Sequence, residues 1–97
     1  MDRLVYLNCL YDCYKELFTD KQRLYFESYY WENYSLSEIA ENNDVSRNAV
    51  HNQLKLIEEH LIELEDKLKI YSKKEQVIDL LSNKIDTDLL ERIKGIL

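Results

Sequence analysis

Proline is absent from the 97-residue chain, and glycine occurs once, at Gly95. Hairpin turns, bulges and phosphate-cradling loops draw on those two residues for their unusual backbone angles, so strands joined by tight turns have little to be built from. The same shortage removes the glycine-rich nucleotide motifs. Helices are the expected element throughout. There is no unbroken apolar stretch of the roughly 18 residues a membrane span needs, so no membrane insertion is expected. Met1-Asp2-Arg3-Leu4 leads straight into an apolar-periodic segment, without the charged, apolar and small-residue order of a secretory leader, and the expected location is the cytoplasm. Cysteine is sparse. Cys9 and Cys13 share one face of a predicted helix and do not form a CxxC redox turn, so both are expected to be reduced core residues. The two histidines, His51 and His60, lie far from them in sequence, so no metal site and no cofactor is expected. Positive charge is also in short supply, with 13 Lys and Arg against 19 Asp and Glu and a net charge of −6.

What the chain does have is apolar periodicity. Leu4, Leu7, Leu10, Tyr11, Tyr14, Leu17 and Phe18 recur at steps of three and four and predict an amphipathic helix over 3–18. Thr19-Asp20-Lys21-Gln22 reads as a capping box opening a second helix from Asp20 to about Tyr30, which is expected to bury Leu24, Tyr25 and part of the Tyr29-Tyr30-Trp31 run. Ser35-Leu36-Ser37-Glu38 repeats the box and opens a helix of about two turns ending near Glu41. After an Asn42-Asn43-Asp44 turn, Ser46 is placed to cap a helix that starts at Arg47 and is expected to run unbroken to Tyr71. Val50, Leu54, Ile57, Leu61, Leu64, Leu68 and Tyr71 alternate steps of four and three along it, the spacing of a coiled-coil seam. This seam can pack on the first helix of the same chain, serve a second copy, or do both, and a homodimer is expected because seam and first helix together exceed what so short a monomer can cover. Ser72-Lys73-Lys74-Glu75 reads as a third capping box. Asn83 to Asp86 break the helix it opens, and a last one from Thr87 to Ile96 is expected to fold back on the long helix. The organisation expected is therefore all-α, with residues 1–71 as one domain and 72–97 as a helical tail packed on it.

The segment from Leu36 to Val50 meets the requirements of a helix-turn-helix. Ala40 is the small residue where two helices would cross, Asp44 the turn residue that tolerates a left-handed backbone, and Ile39, Val45 and Val50 the branched residues that lock the second helix. Ser-Leu-Ser-Glu-Ile-Ala-Glu followed by Val-Ser-Arg-Asn-Ala-Val-His, with Thr-Asp-Lys-Gln-Arg upstream and Tyr-Tyr between, resembles the YlxM family of small bacterial helix-turn-helix proteins from about Leu7 to Leu68. Asn43 and Asp44 stand where a Leu-Gly pair is more usual. The resemblance implies a fold like the DNA-reading fourth region of bacterial sigma factors. It also implies a role as regulator or accessory of the signal recognition particle pathway, since family members are encoded beside that particle's GTPase subunit.

In the DNA-reading geometry of this motif, Ser46, Arg47, Asn48, His51, Asn52 and Lys55 would face the major groove. Arg47 suits guanine, Asn48 or Asn52 suits adenine, and Ser46 and Lys55 suit phosphates. Against this, Glu38, Glu41 and Asp44 outnumber Arg47 and Lys55 between Ser35 and Lys55, so weak binding at physiological salt is expected unless Lys15, Lys21 and Arg23 complete a basic patch. Two functional readings follow. One is a regulator that binds DNA or signal recognition particle RNA. The other is a protein-interaction module that docks a protein component of the particle without touching nucleic acid. His51 and His60 beside Glu58 and Glu59 imply no pocket, so an enzyme is not expected.

Overall fold

The computed structural model describes residues 1–97 as six α-helices and no strand. Helix α1 spans Arg3–Tyr14, α2 Asp20–Tyr30, α3 Leu36–Asn42, α4 Arg47–Leu68, α5 Ile70–Leu81 and α6 Thr87–Ile96. Two capping boxes form as the sequence predicts. Thr19 Oγ1 accepts from the Gln22 amide at 3.1 Å while Gln22 Oε1 accepts from the Thr19 amide at 3.0 Å, and Ser35 and Glu38 exchange the same pair at 3.1 and 3.0 Å.

The first helix is shorter than its periodicity implies. It ends at Tyr14 and tightens into a 3₁₀ turn over Lys15–Leu17. The faster rotation of that turn brings Phe18 inward and leaves Leu17 59 % exposed, so Leu17 and the frayed-end Leu4 drop out of the predicted stripe. On α2 the buried ring next to Tyr25 is Phe26, and Leu24 faces out.

The core has two parts. Leu7, Leu10, Tyr11, Tyr14, Phe18, Phe26, Ile57 and Leu61 form the larger, between α1, α2 and the far half of α4. Tyr25, Ile39, Ala40, Val50 and Leu54 form the smaller, beneath the helix-turn-helix. Three tyrosine hydroxyls clamp the helices pairwise by donating to carboxylates: Tyr11 to Glu27 at 2.5 Å across α1 and α2, Tyr30 to Glu58 at 2.8 Å across α2 and α4, and Tyr14 to Glu65 at 2.6 Å across α1 and α4. Burial raises the pKa of all three phenols, with the carboxylate partner adding to the effect; Tyr14 is pushed up to about 12.

The long helix does not reach Tyr71. It stops at Leu68, and Lys69 adopts a left-handed backbone with φ 56° before α5 begins. A left-handed lysine costs about 1–2 kcal/mol. The break is stabilised by acceptors waiting for the new helix: Glu65 accepts from the Tyr71 amide at 3.1 Å and the Ser72 amide at 2.9 Å, and the Tyr14 hydroxyl accepts from the Ile70 amide at 3.1 Å. These amides are the orphan donors of a helix start. The Ser72-to-Glu75 box therefore does not form, because Ser72 already lies inside the first turn with its amide taken. Beyond the break, α5 packs on α1 and the end of α4, and the main contacts of α6 are with α5, not with the long helix. Cys9 and Cys13 are free thiols and only half-buried, lining an open cleft of about 340 Å³ with Ile70, Tyr71, Lys74 and Leu97.

Candidate nucleic-acid interface

The helix-turn-helix is built around one carbonyl. Ala40, 6 % exposed at the α3–α4 crossing, accepts from the Asn43 amide at 3.3 Å and the Val45 amide at 3.1 Å, which closes the turn. Asp44 sits between them with φ 54°, the left-handed conformation that glycine usually supplies. Asn43 adds a side-chain bond from Nδ2 to the Ile39 carbonyl at 2.8 Å, so an amide side chain and a tolerant aspartate together do the work of a Leu-Gly turn. Ile39 and Val50 are buried against Tyr25, with Val45 packed at the edge, and this fixes the direction in which α4 leaves the turn.

That direction presents a polar tip. Ser46, Arg47, Asn48, His51, Asn52 and Lys55 are all exposed and all lie on the first two and a half turns of α4 or at its cap. Ser46 Oγ accepts from the Ala49 amide at 3.0 Å as the N-cap, which leaves its hydroxyl hydrogen free to donate outward. Neither Arg47 nor Lys55 enters an intramolecular ion pair; the pairs in the fold are Arg3–Glu58, Arg23–Glu16, Lys67–Glu63 and Lys94–Glu91. Among the cations that could extend a basic patch, Arg23 is turned toward Glu16 at 3.6 Å. Lys21 lies 5.8 Å from the centre of the Tyr25 ring, whose buried body belongs to the helix-turn-helix core, so it flanks the unit. Lys15 is half-buried in the 3₁₀ turn.

Charge is divided along α4. Its first half carries Arg47 and Lys55 and no carboxylate anywhere from Val45 to Ile57, whereas the second half carries Glu58, Glu59, Glu63, Glu65 and Asp66 against Lys67 alone. The positive end of the helix dipole coincides with the basic half. The negative count that spans Ser35 to Lys55 is thus a property of α3 and the turn. Glu38 there is already committed to capping, and its bonds to the Ser35 amide and hydroxyl hold its carboxyl below the usual range.

The predicted seam divides in the same way. Val50, Leu54, Ile57 and Leu61 are buried within the chain, Leu64 is partly covered, and Leu68 is 46 % exposed at the end of the helix. Tyr71 leaves the seam for α5 and meets Tyr6 edge to face, with ring centres 5.9 Å apart. His51 belongs to the polar tip, while His60 places its ring 5.2 Å from Phe18.

A cleft beside the tip has no counterpart in the sequence pattern. Tyr29, Tyr30, Leu36, His51, Leu54 and Lys55, with Glu58 behind them, line an open cleft of about 270 Å³ between α2 and the polar tip. The Tyr-Tyr run signals aromatic content, but helical periodicity alone does not tell which of its rings faces outward.

Residues 1–95 match the protein family described as "Putative helix-turn-helix protein, YlxM / p13 like". A UPF0122 protein of Oceanobacillus iheyensis is 49 % identical over 81 residues, covering 84 % of this chain and 77 % of its own length. A UPF0122 protein of Halalkalibacterium halodurans is 39 % identical over 89 residues, covering 89 % and 82 %. One from Mycoplasma capricolum is 41 % identical over 91 residues, covering 94 % and 80 %.

Proposed function

The chain belongs to the YlxM/p13-like family of helix-turn-helix proteins, and from that premise we propose that it binds nucleic acid with the exposed start of α4. The observation that carries this reading is the charge division of α4: a capped helix tip bearing two unpaired cations and three amide or imidazole side chains, free of carboxylates over two and a half turns. Net charge governs long-range attraction, but docking depends on the potential where phosphates arrive. On a duplex, Arg47 and Asn48 at the first turn are the base-reading groups, Asn52 follows one turn later, and Ser46, His51 and Lys55 hold the backbone. The regulated process proposed is targeting by the signal recognition particle, with its RNA or an operator sequence as the ligand. This last step is supported by the family resemblance drawn from Ser35–His51.

The test is retention on duplex DNA and on signal recognition particle RNA across a salt series, for the wild type and Arg47→Ala. A steep salt dependence whose logarithmic slope falls by about one in the variant is expected. Absence of retention on both probes at low salt overturns the reading and leaves docking to a protein component of the particle as the better one.

Pairing with a second copy belongs to the same proposal, because a helix-turn-helix dimer places two tips on two half-sites. The first four residues of the seam are buried inside one chain, and the surface that favours pairing is the C-terminal pair of helices. No residue of α5 or α6 is buried, although Leu80, Leu89 and Ile96 are apolar and Leu80 is 70 % exposed. The radius of gyration of 16.3 Å exceeds the roughly 13 Å of a compact chain of this size, as expected of a molecule 52 Å long whose last helix touches mainly α5. Mass in solution for Leu80→Lys with Leu89→Lys should fall to that of the monomer. A mass shared with the wild type removes α5 and α6 from the interface.

A further inference from the structure

Tyr11, Tyr14 and Tyr30 are accounted for by their bonds to buried or half-buried glutamates, but Tyr29 and Tyr34 remain 38 % and 42 % exposed. Tyr29 is a wall common to the cleft beside the α4 tip and to an adjoining one of about 310 Å³ lined by Leu4, Asn33 and Tyr34. Its ring is held from behind. Tyr30 meets it edge to face with centres 5.0 Å apart, Phe26 lies 4.5 Å from Tyr30, and Tyr11 stacks on Phe26 at 4.0 Å. A ring backed in this way loses little freedom when something stacks on it, which is what a base-stacking platform needs.

Tyr29 shares its cleft with His51 and Lys55 of the polar tip and with the apolar Leu36 and Leu54. Glu58 is the one carboxylate in the cleft, and its oxygens are occupied by the Tyr30 hydroxyl at 2.8 Å and the Arg3 guanidinium at 3.6 Å, so it does not confront an incoming phosphate unopposed. Apolar walls, one free aromatic ring and a flanking ammonium make up the recognition chemistry of an unpaired nucleotide: the base stacks and the phosphate meets the cation. The geometry points to Tyr29 as a stacking platform for an unpaired base at the edge of the duplex gripped by the α4 tip, with Lys55 holding that nucleotide's phosphate and His51 closing the slot. This deepens, and rests on, the reading of α4 as a nucleic-acid-binding tip. It changes the substrate class from any duplex to one carrying a bulge, loop or overhang.

The experiment uses the full chain and two RNA hairpins, one with a single-nucleotide bulge occupied by the fluorescent base 2-aminopurine, the other with that nucleotide paired. The wild type is expected to quench the bulged base and to prefer the bulged hairpin by roughly tenfold, the effect of one stacked base. Tyr29→Leu should abolish both preference and quenching while retaining affinity for the paired hairpin, and Tyr29→Phe should keep both. Because Tyr29 is partly exposed, helical ellipticity is expected to be unchanged in either variant. Equal affinity of the wild type for the two hairpins, or a Tyr29→Leu variant that still discriminates, overturns the platform and leaves the tip in place. Binding to neither hairpin at low salt overturns the tip and the platform together.

Discussion

The chain has two amphipathic helical regions, and only the first has an interior. Every buried residue lies between Leu7 and Glu65, and this body contains the two cores, the three tyrosine–glutamate clamps and the helix-turn-helix. The C-terminal pair, α5 and α6, is as clearly two-faced in sequence but buries no residue. The lesson is that amphipathicity predicts a helix, whereas burial requires a second surface within reach. In α4 that surface is α1, α2 and α3; α5 reaches only α1 and the end of α4, and α6 mainly α5. The pair is joined to the body mainly through α5, whose start is capped by Glu65 and Tyr14 and whose Tyr71 meets Tyr6 on α1.

The largest expected effect tests the body directly. Leu61 is fully buried in the larger core, and Leu61→Ala should destabilise by about 2–5 kcal/mol in denaturant melts, whereas Leu80→Ala in the pair, melted at a concentration where the chain is monomeric, should stay within about 0.5 kcal/mol. Equal losses at the two sites would erase the distinction between the regions.

Next comes the joint itself. Glu65→Ala strips acceptors from two α5 amides and the Tyr14 hydroxyl, a loss of about 1.5–3 kcal/mol for bonds to a charged group. That loss should be local. Amide exchange should speed up across α5 and remain slow at Val50 and Leu54, and a uniform rise across the chain would show the two regions to be one cooperative unit.

Alkali sharpens the comparison in the other direction, because the three clamps it ionises all join helices of the body. The folded chain holds the Tyr14 proton to about pH 12 against 10.0 for a free phenol, so stability from this clamp is complete below pH 10, where both states are protonated, and is lost as pH rises from 10 toward 12. Tyr11 and Tyr30 shift in the same direction and add to the loss. Tyrosinate absorbance and helical ellipticity should therefore change together above pH 10. Ionisation of the three clamps without loss of helix would mean that the body does not depend on them.

The smallest effect concerns the turn. Asp44→Gly relieves a left-handed non-glycine residue and should raise the melting midpoint by an amount worth about 1 kcal/mol or less, with no change in α5 exchange.

The helix-turn-helix could be read from the sequence because its determinants are local. Thr19 with Gln22 and Ser35 with Glu38 are capping boxes closed within four residues, Ser46 caps three residues ahead, and Asp44 meets a backbone demand at its own position. The breaks that periodicity does not reveal have causes in the tertiary structure. Lys69 turns left-handed because Tyr14, far away in sequence, and Glu65 supply hydrogen-bond acceptors there, and no glycine or proline marks the spot. Leu17 is exposed because Phe18 has a core to enter, which only the tertiary arrangement of Tyr11 and Leu61 defines. The polar tip was legible for the same reason as the caps, since spacing from Ser46 determines which side chains leave the helix together. The cleft at Tyr29 was not, since its walls come from α2, α3 and α4 at once.

The partition of charge on α4 has a geometric corollary. A polyanion approaching this rod is repelled along its shaft from Glu58 to Asp66 and welcomed only at its nose. On the proposed nucleic-acid reading, the share of the footprint that α4 supplies is confined to the stretch from Ser46 to Lys55, about 15 Å of helix, and anything further has to come from α2 or from a second chain.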